Sequence, residues 1–336
     1  MKKIKNIRDV YKILDNLPSQ SRESLSDAKK YQDKLLKPKG SLGILEDISI
    51  FFSGWQKTTK PKLDKVQTII FAGNHGVCKQ NVNSYPQSVT SQMVKTFRNG
   101  GAAINQLSKE KYIDLSIVPL KLNNPTKDIS VEPAMNCNEF ILSINKGIEA
   151  INPKSNLLVL GEMGIGNTTI ASTISAAFFG GDIQKWVGKG TAENNKKRFK
   201  KVEVVKRALK VNKGRNPIEI LRCLGGREQA AIFGATLAAR SLGIPVLIDG
   251  FVCTASIIPL YFLKNEALEH CIFGHCSSEK GHKYVLRAIK KKALLNLNMC
   301  LGEGSGAMVA LNIIRSAIKC NNDMSSFSEA GVSVTV

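Results

Sequence analysis

No run of about 18 apolar residues occurs in the chain, so nothing in the sequence reads as a membrane-spanning helix. Aromatic residues are sparse, at 6%, and no row of them accompanies the basic residues to offer a stacking platform for bases. The eight cysteines (Cys78, Cys137, Cys223, Cys253, Cys271, Cys276, Cys300 and Cys320) follow no regular spacing, which argues against a disulfide framework and for reduced thiols, several of them simply buried. Acidic residues are outnumbered, 27 against 48 basic ones, for a formal charge of +21. A field of that size attracts anions. The densest basic run, at 194–210, has helical spacing and no nucleic-acid module around it, so a solvated lysine-rich face is preferred to a nucleic-acid site. A small phosphorylated substrate would gain from the same field. The start, "MKKIKNIRDVYKILDNLPSQS", has lysines with no apolar run behind them, so the expectation is a cytoplasmic protein without a secretory leader or membrane partner.

What the chain does have, in its 336 residues and 43% hydrophobic content, is enough apolar material for a large core. Short apolar runs end in glycine or a polar residue and are followed by helical patterns: "VQTIIFAGNHGV" (66–77), "NLLVLGEMGIGNTT" (156–169) and "GIPVLIDGFVCTASIIPL" (243–260), with "YIDLSIVPL" (112–120) a further strand. Strands this continuous suit a parallel sheet covered on both faces. The expected fold is therefore α/β, an open parallel Rossmann-like sheet with helices on both faces. Residues 88–109 read as one helix, and the alanine-rich stretch 225–243 as another that stops at Gly243. Residues 1–60 and 305–336 carry helical rather than strand signals and are expected to pack together as a small helical domain beside an α/β catalytic domain at 61–304.

Ligands of such sheets sit beyond the carboxyl ends of the strands, so "GNHGV", "GEMGIGNTT" and "DGFVC" are expected to converge on one crevice. "GEMGIGNTT" joins Glu162 to Gly164 and Gly166, then to Asn167, Thr168 and Thr169 at a helix start, where backbone N–H groups and the helix dipole favour a phosphate. Neither GxxxxGK[ST] nor a GxGxxG fingerprint is present in the right context. "LGEGSGA" places Glu303 among glycines directly before an apolar helix. A carboxylate there has its pKa lowered by the helix end and raised by a dry pocket. For Glu162 a capping role and a chemical role both stay open, with the chemical role slightly preferred. "HCIFGHCSSEKGH" gathers His270, Cys271, His275, Cys276 and His282, but in no common zinc spacing, and no metal is expected. His75 and Asp249 are further candidates at strand exits.

The ordered set "KPKGSLGILEDI", "FAGNHGV", "YPQSVTSQMV", "GEMGIGNTT", "VGKGT", "GGREQAA", "GHCSSEKGH" and "LGEGSGA" resembles the nicotinate-nucleotide–dimethylbenzimidazole phosphoribosyltransferases over roughly Lys37 to Val332. The resemblance implies transfer of the phosphoribosyl group of nicotinate mononucleotide to an azole base in cobalamin nucleotide-loop assembly, by a homodimer with no metal or organic cofactor. It implies Glu303 as catalytic base and Glu162 as the second glutamate. It implies Gly164, Gly166, Asn167, Thr168, Gly190, Thr191, Lys201 and Ser277 at the phosphate and ribose, and Ser84, Tyr85, Gln92, Met93 and Leu301 around the base. The chain departs from the family pattern at Asn74, where aspartate is common, at Ala192, where glycine is usual, and at Cys276, where arginine is frequent. These departures bear on the acceptor more than on the reaction. A purine or phenolic acceptor, or a non-catalytic basic nucleic-acid-binding protein, is the competing reading.

Overall fold

The computed structural model describes residues 2–109, 113–188 and 195–333. Among the described residues six strands form one sheet, all parallel: β1 (Val66–Ala72), β2 (Ile113–Pro119), β3 (Leu157–Met163), β4 (Val246–Ile248), β5 (Cys271–His275) and β6 (Ala293–Leu295), in the order β2-β1-β3-β4-β5-β6. The helices are α1 (Ile7–Asp15), α2 (Arg22–Gln32), α3 (Ile44–Gln56), α4 (Ser88–Arg98), α5 (Ala103–Leu107), α6 (Cys137–Glu149), α7 (Asn167–Phe179), α8 (Ile183–Trp186), α9 (Asn195–Val211), α10 (Pro217–Leu224), α11 (Arg227–Leu242), α12 (Phe251–Leu263), α13 (Lys280–Ala288) and α14 (Ser305–Asp323). Among the described residues no helix is long and apolar enough to cross a membrane.

Period-two alternation assigns the strand residues to two cores. Ile69, Phe71, Leu158, Leu160, Val246 and Ile248 face one way, into a cluster with α6, α7, α11 and α12. Val66, Ile70, Leu157, Val159 and Leu247 face the other, against Ile48 and Phe52 of α3, Ile104 of α5 and the apolar stripe of α14. Every residue of β1 is buried, as expected of a strand covered on both sides. The α11 helix is buried on nearly every side, which its small residues permit: a Cβ on Gly234 would collide with the Ile144 carbonyl of α6, so the two helices touch backbone to backbone.

Two sequence expectations change. The helix read over 88–109 is broken into α4 and α5, because Gly100 takes a left-handed φ of 78° and ends the first segment. The chain ends do meet, through the Leu35–Ser326 bridge and a 2.6 Å bond from the Gln32 amide to Asn321 Oδ1. However, α1 packs on the α6 side, where the Ile4 N–H reaches Asn145 Oδ1 at 2.9 Å, and α14 is itself a layer of the sheet core.

Candidate active site

The sheet order reverses between β1 and β3, and the strand-exit loops open there. Glu303 sits directly over the end of β3. Its φ is +65°, and Gly302 and Gly304 on either side are at +84° and +83°. Holding a β-carbon-bearing residue in this region costs about 1–2 kcal/mol, so the surroundings must enforce it. They do so through hydrogen bonds: the Glu303 N–H donates to the Glu162 carbonyl at 3.2 Å, and the Gly304 and Ala307 N–H groups donate to Asp249 at 3.2 and 2.8 Å. Packing adds to this. A Cβ at Gly161 would stand 2.7 Å from the Glu303 backbone, so only glycine at that point of β3 lets the loop lie down.

The loop closes one side of a cavity of about 500 Å³. Glu162 and Glu303 line it together; Tyr85, Val89, Met93, Ile165, Phe251, Val252 and Leu301 supply apolar surface; Gly164, Asn167, Thr168, Ser277 and Glu279 supply polar groups. An apolar enclosure with a few convergent polar groups suits a flat heterocycle attached to a polar sugar.

The electrostatics raise both glutamates. Burial pushes the Glu303 carboxyl up to about 7, and Asp249 adds to the rise. Glu162 is also raised well above the ordinary range, first by burial and then by the carboxylates of Asp249, Glu228 and Glu303, against a hydrogen bond from the Asn167 amide. Burial and neighbouring negative charge both disfavour ionisation. Both carboxyls therefore hold their protons to a higher pH than an exposed glutamate does. Lys201, also buried, donates from Nζ to Thr168 Oγ1 at 3.1 Å. Burial lowers its pKa, while Glu279 opposes that fall.

Of the residues singled out in the sequence, the cavity brings together Glu162, Glu303, Gly164, Asn167, Thr168, Ser277, Tyr85, Met93 and Leu301. Lys201 stands behind Thr168, outside the lining, and Gly166 serves as the N-cap of α7. Gln92 is exposed, because the α4 face turned to the cavity carries Val89 and Met93, four residues apart. Ser84 lies outside the lining and accepts from Lys197 Nζ at 3.3 Å. His75 is fully buried with Nε2 3.0 Å from Glu228 Oε1, and Asp249 holds the start of α14 rather than facing the cavity. Gly190 and Thr191 lie outside the described residues, as does Ala192. Asn74 is buried, its amide on the Leu122 carbonyl at 3.0 Å. The histidines of the HCIFGHC segment go separate ways, with His270 Nε2 3.0 Å from the Thr236 carbonyl and His282 bonded to Ser277 and Thr254. Val89, Ile165, Phe251, Val252, His275, Glu279 and Cys300 line the cavity without having been singled out as site residues. For Val89 the helical spacing to Met93 was a usable signal; for Phe251 and Val252 the position just past a strand exit was.

A family model described as phosphoribosyltransferase matches residues 17–332. The nicotinate-nucleotide–dimethylbenzimidazole phosphoribosyltransferase of Mesorhizobium japonicum is 49% identical over 320 residues, which are 95% of each chain. The chain belongs to this phosphoribosyltransferase family. The Rhodobacter capsulatus protein of the same name is 42% identical over 332 residues, 99% of each chain. A crystal structure of the phosphoribosyltransferase from Thermus thermophilus superposes with a TM-score of 0.87 at 33% identity, covering 94% of this chain and 100% of that one.

Proposed function

We propose that this phosphoribosyltransferase moves the phosphoribosyl group of nicotinate mononucleotide to 5,6-dimethylbenzimidazole or a similar base, giving α-ribazole 5′-phosphate and nicotinate for cobalamin nucleotide-loop assembly. The observation that carries the mechanism is Glu303, a carboxyl held in a strained conformation inside an apolar cavity with its pKa pushed up to about 7. As one azole nitrogen attacks C1′ of the ribose, the pyridinium of nicotinate leaves with its bonding electrons and positive charge moves to the incoming ring. That ring then loses the proton on its other nitrogen. A carboxylate with a pKa near the working pH is suited to take it, and its negative charge stabilises the developing cation. Attack opposite the leaving group inverts the anomeric centre, which accounts for an α product.

With Glu303 as the base, burial and the surrounding carboxylates favour the neutral form of Glu162, which offers a hydrogen bond to substrate rather than a second charge. Gly164, Asn167, Thr168 and Ser277, with Lys201 acting through Thr168, serve the phosphate and ribose, where the α7 N-terminus adds its dipole. Tyr85, Met93 and Leu301 serve the base. We read the chain as acting in a homodimer, and α2, α3 and the far end of α14 as a small helical unit; the contacts joining Leu35 to Ser326 and Gln32 to Asn321 support the second point. Mass spectrometry of products from nicotinate mononucleotide offered with dimethylbenzimidazole, adenine or p-cresol tests the assignment. The expected result is dimethylbenzimidazole riboside phosphate and stoichiometric nicotinate. Turnover with p-cresol or adenine alone would reassign the acceptor, and release of no nicotinate with any base would remove the reaction.

A further inference from the structure

His282 lies one step behind the cavity wall, fully buried, on α13. Thr254 Oγ1 donates to the Gly250 carbonyl at 2.8 Å, so its hydrogen is committed and the 2.9 Å contact with His282 Nε2 must be an N–H donated by the ring. Nδ1 is then the bare nitrogen. It accepts the Ser277 backbone N–H at 2.9 Å. Both ring nitrogens are thus used, in one tautomer, to join the loop after β4, through Thr254 and Gly250, to the loop after β5 at Ser277. Burial, with His275 nearby, lowers the His282 pKa to about 3, so the ring stays neutral at working pH. Ser277 Oγ accepts the Glu279 N–H at 3.2 Å, which leaves its own O–H to donate toward the cavity that it lines.

We propose that His282 is a positioning residue: its Nδ1 fixes the Ser277 backbone and so aims the Ser277 hydroxyl at the 5′-phosphate of the nucleotide. This rests on the reading of Ser277 as a phosphate ligand. Asparagine places a carboxamide oxygen near the position of Nδ1 and can still accept from Ser277, whereas glutamine places its amide near Nε2 and reaches only Thr254. In the full-length protein, His282→Gln is expected to raise KM for nicotinate mononucleotide about tenfold, the worth of one hydrogen bond to a charged group. KM for the acceptor and kcat at saturation should hold. His282→Asn should stay within about threefold of the parent. Thr254→Val, which removes the partner that fixes the tautomer, should move the same KM in the same direction and covers the case in which the Gln variant fails to fold. Equal KM shifts for the Asn and Gln variants, or a lowered Tm with KM unchanged in the Gln and Val variants, would overturn the proposal. Ser277→Ala separates the two layers. If it leaves nucleotide KM unchanged, the reading of Ser277 fails; if it raises that KM while His282→Gln and Thr254→Val do not, only the role of His282 falls.

Discussion

Glu303 combines strain, burial and charge in one side chain, and each has a measurable consequence. Replacing it by glutamine keeps the shape and removes the base. Nicotinate release should fall by about 10²–10⁴, the usual worth of general base catalysis, while nucleotide affinity is kept. Turnover by the parent should rise with pH through an ionisation at about 7, since the base must be unprotonated. Stability should move the other way. The folded carboxyl titrates at about 7 and the unfolded one near 4.5, so between those values the native state holds a proton that the unfolded chain has lost, and stability declines as pH rises. Thermal melts of Glu303→Gln should therefore match the parent at about pH 4 and exceed it at about pH 8. No gain on the alkaline side would mean that the anion is not penalised by its surroundings. Lys201 makes the complementary case. With Nζ buried on Thr168, Lys201→Ala should raise KM for nicotinate mononucleotide roughly 10- to 100-fold, with the acceptor little affected. Isothermal titration that finds equal nucleotide affinity would reduce this lysine to packing.

At the scale of elements, the site depends on how closely the loop before α14 approaches β3. Gly161→Ala would drive a methyl to 2.7 Å from the Glu303 backbone. Overpacking of this kind costs about 1–3 kcal/mol. Because it displaces the base, kcat should drop more than KM rises; denaturant melts and steady-state kinetics check the two halves. Periodicity gave α11 and its Gly243 stop, and the apolar runs gave β1, β2, β3 and β4. It did not reveal β6, whose three residues Ala293–Leu295 are too few to display an alternation, or β5, whose "CIFGH" lies inside a cluster that reads first as metal chemistry. The division of 88–109 is not legible in the sequence, because a Gly-Gly pair inside an apolar helical pattern is tolerated in some helices and ends others.

Over the whole molecule, the charge of +21 is a surface property set against a site with a cluster of buried carboxyls, Glu162, Glu228, Asp249 and Glu303. An anionic mononucleotide approaching this surface is steered by the long-range field. Raising ionic strength from about 0.01 to 0.5 M shortens the Debye length from roughly 30 Å to a few ångströms. kcat/KM for nicotinate mononucleotide should then fall while kcat holds; a flat profile would assign the lysines to solubility alone.

The amino-acid order alone determined the parallel α/β class, the strand exits as the place to look for chemistry, and Glu303 and Glu162 as the carboxyls to look for there, because burial on two faces and glycine-flanked acids leave local marks. Only the tertiary structure decided that Asp249 and His75 turn inward, that Gln92 faces solvent and Val89 the cavity, and that Glu303 titrates at about 7. Those outcomes depend on neighbours far apart in the chain: on which helix face the sheet claims, and on which carboxyls are buried near one another.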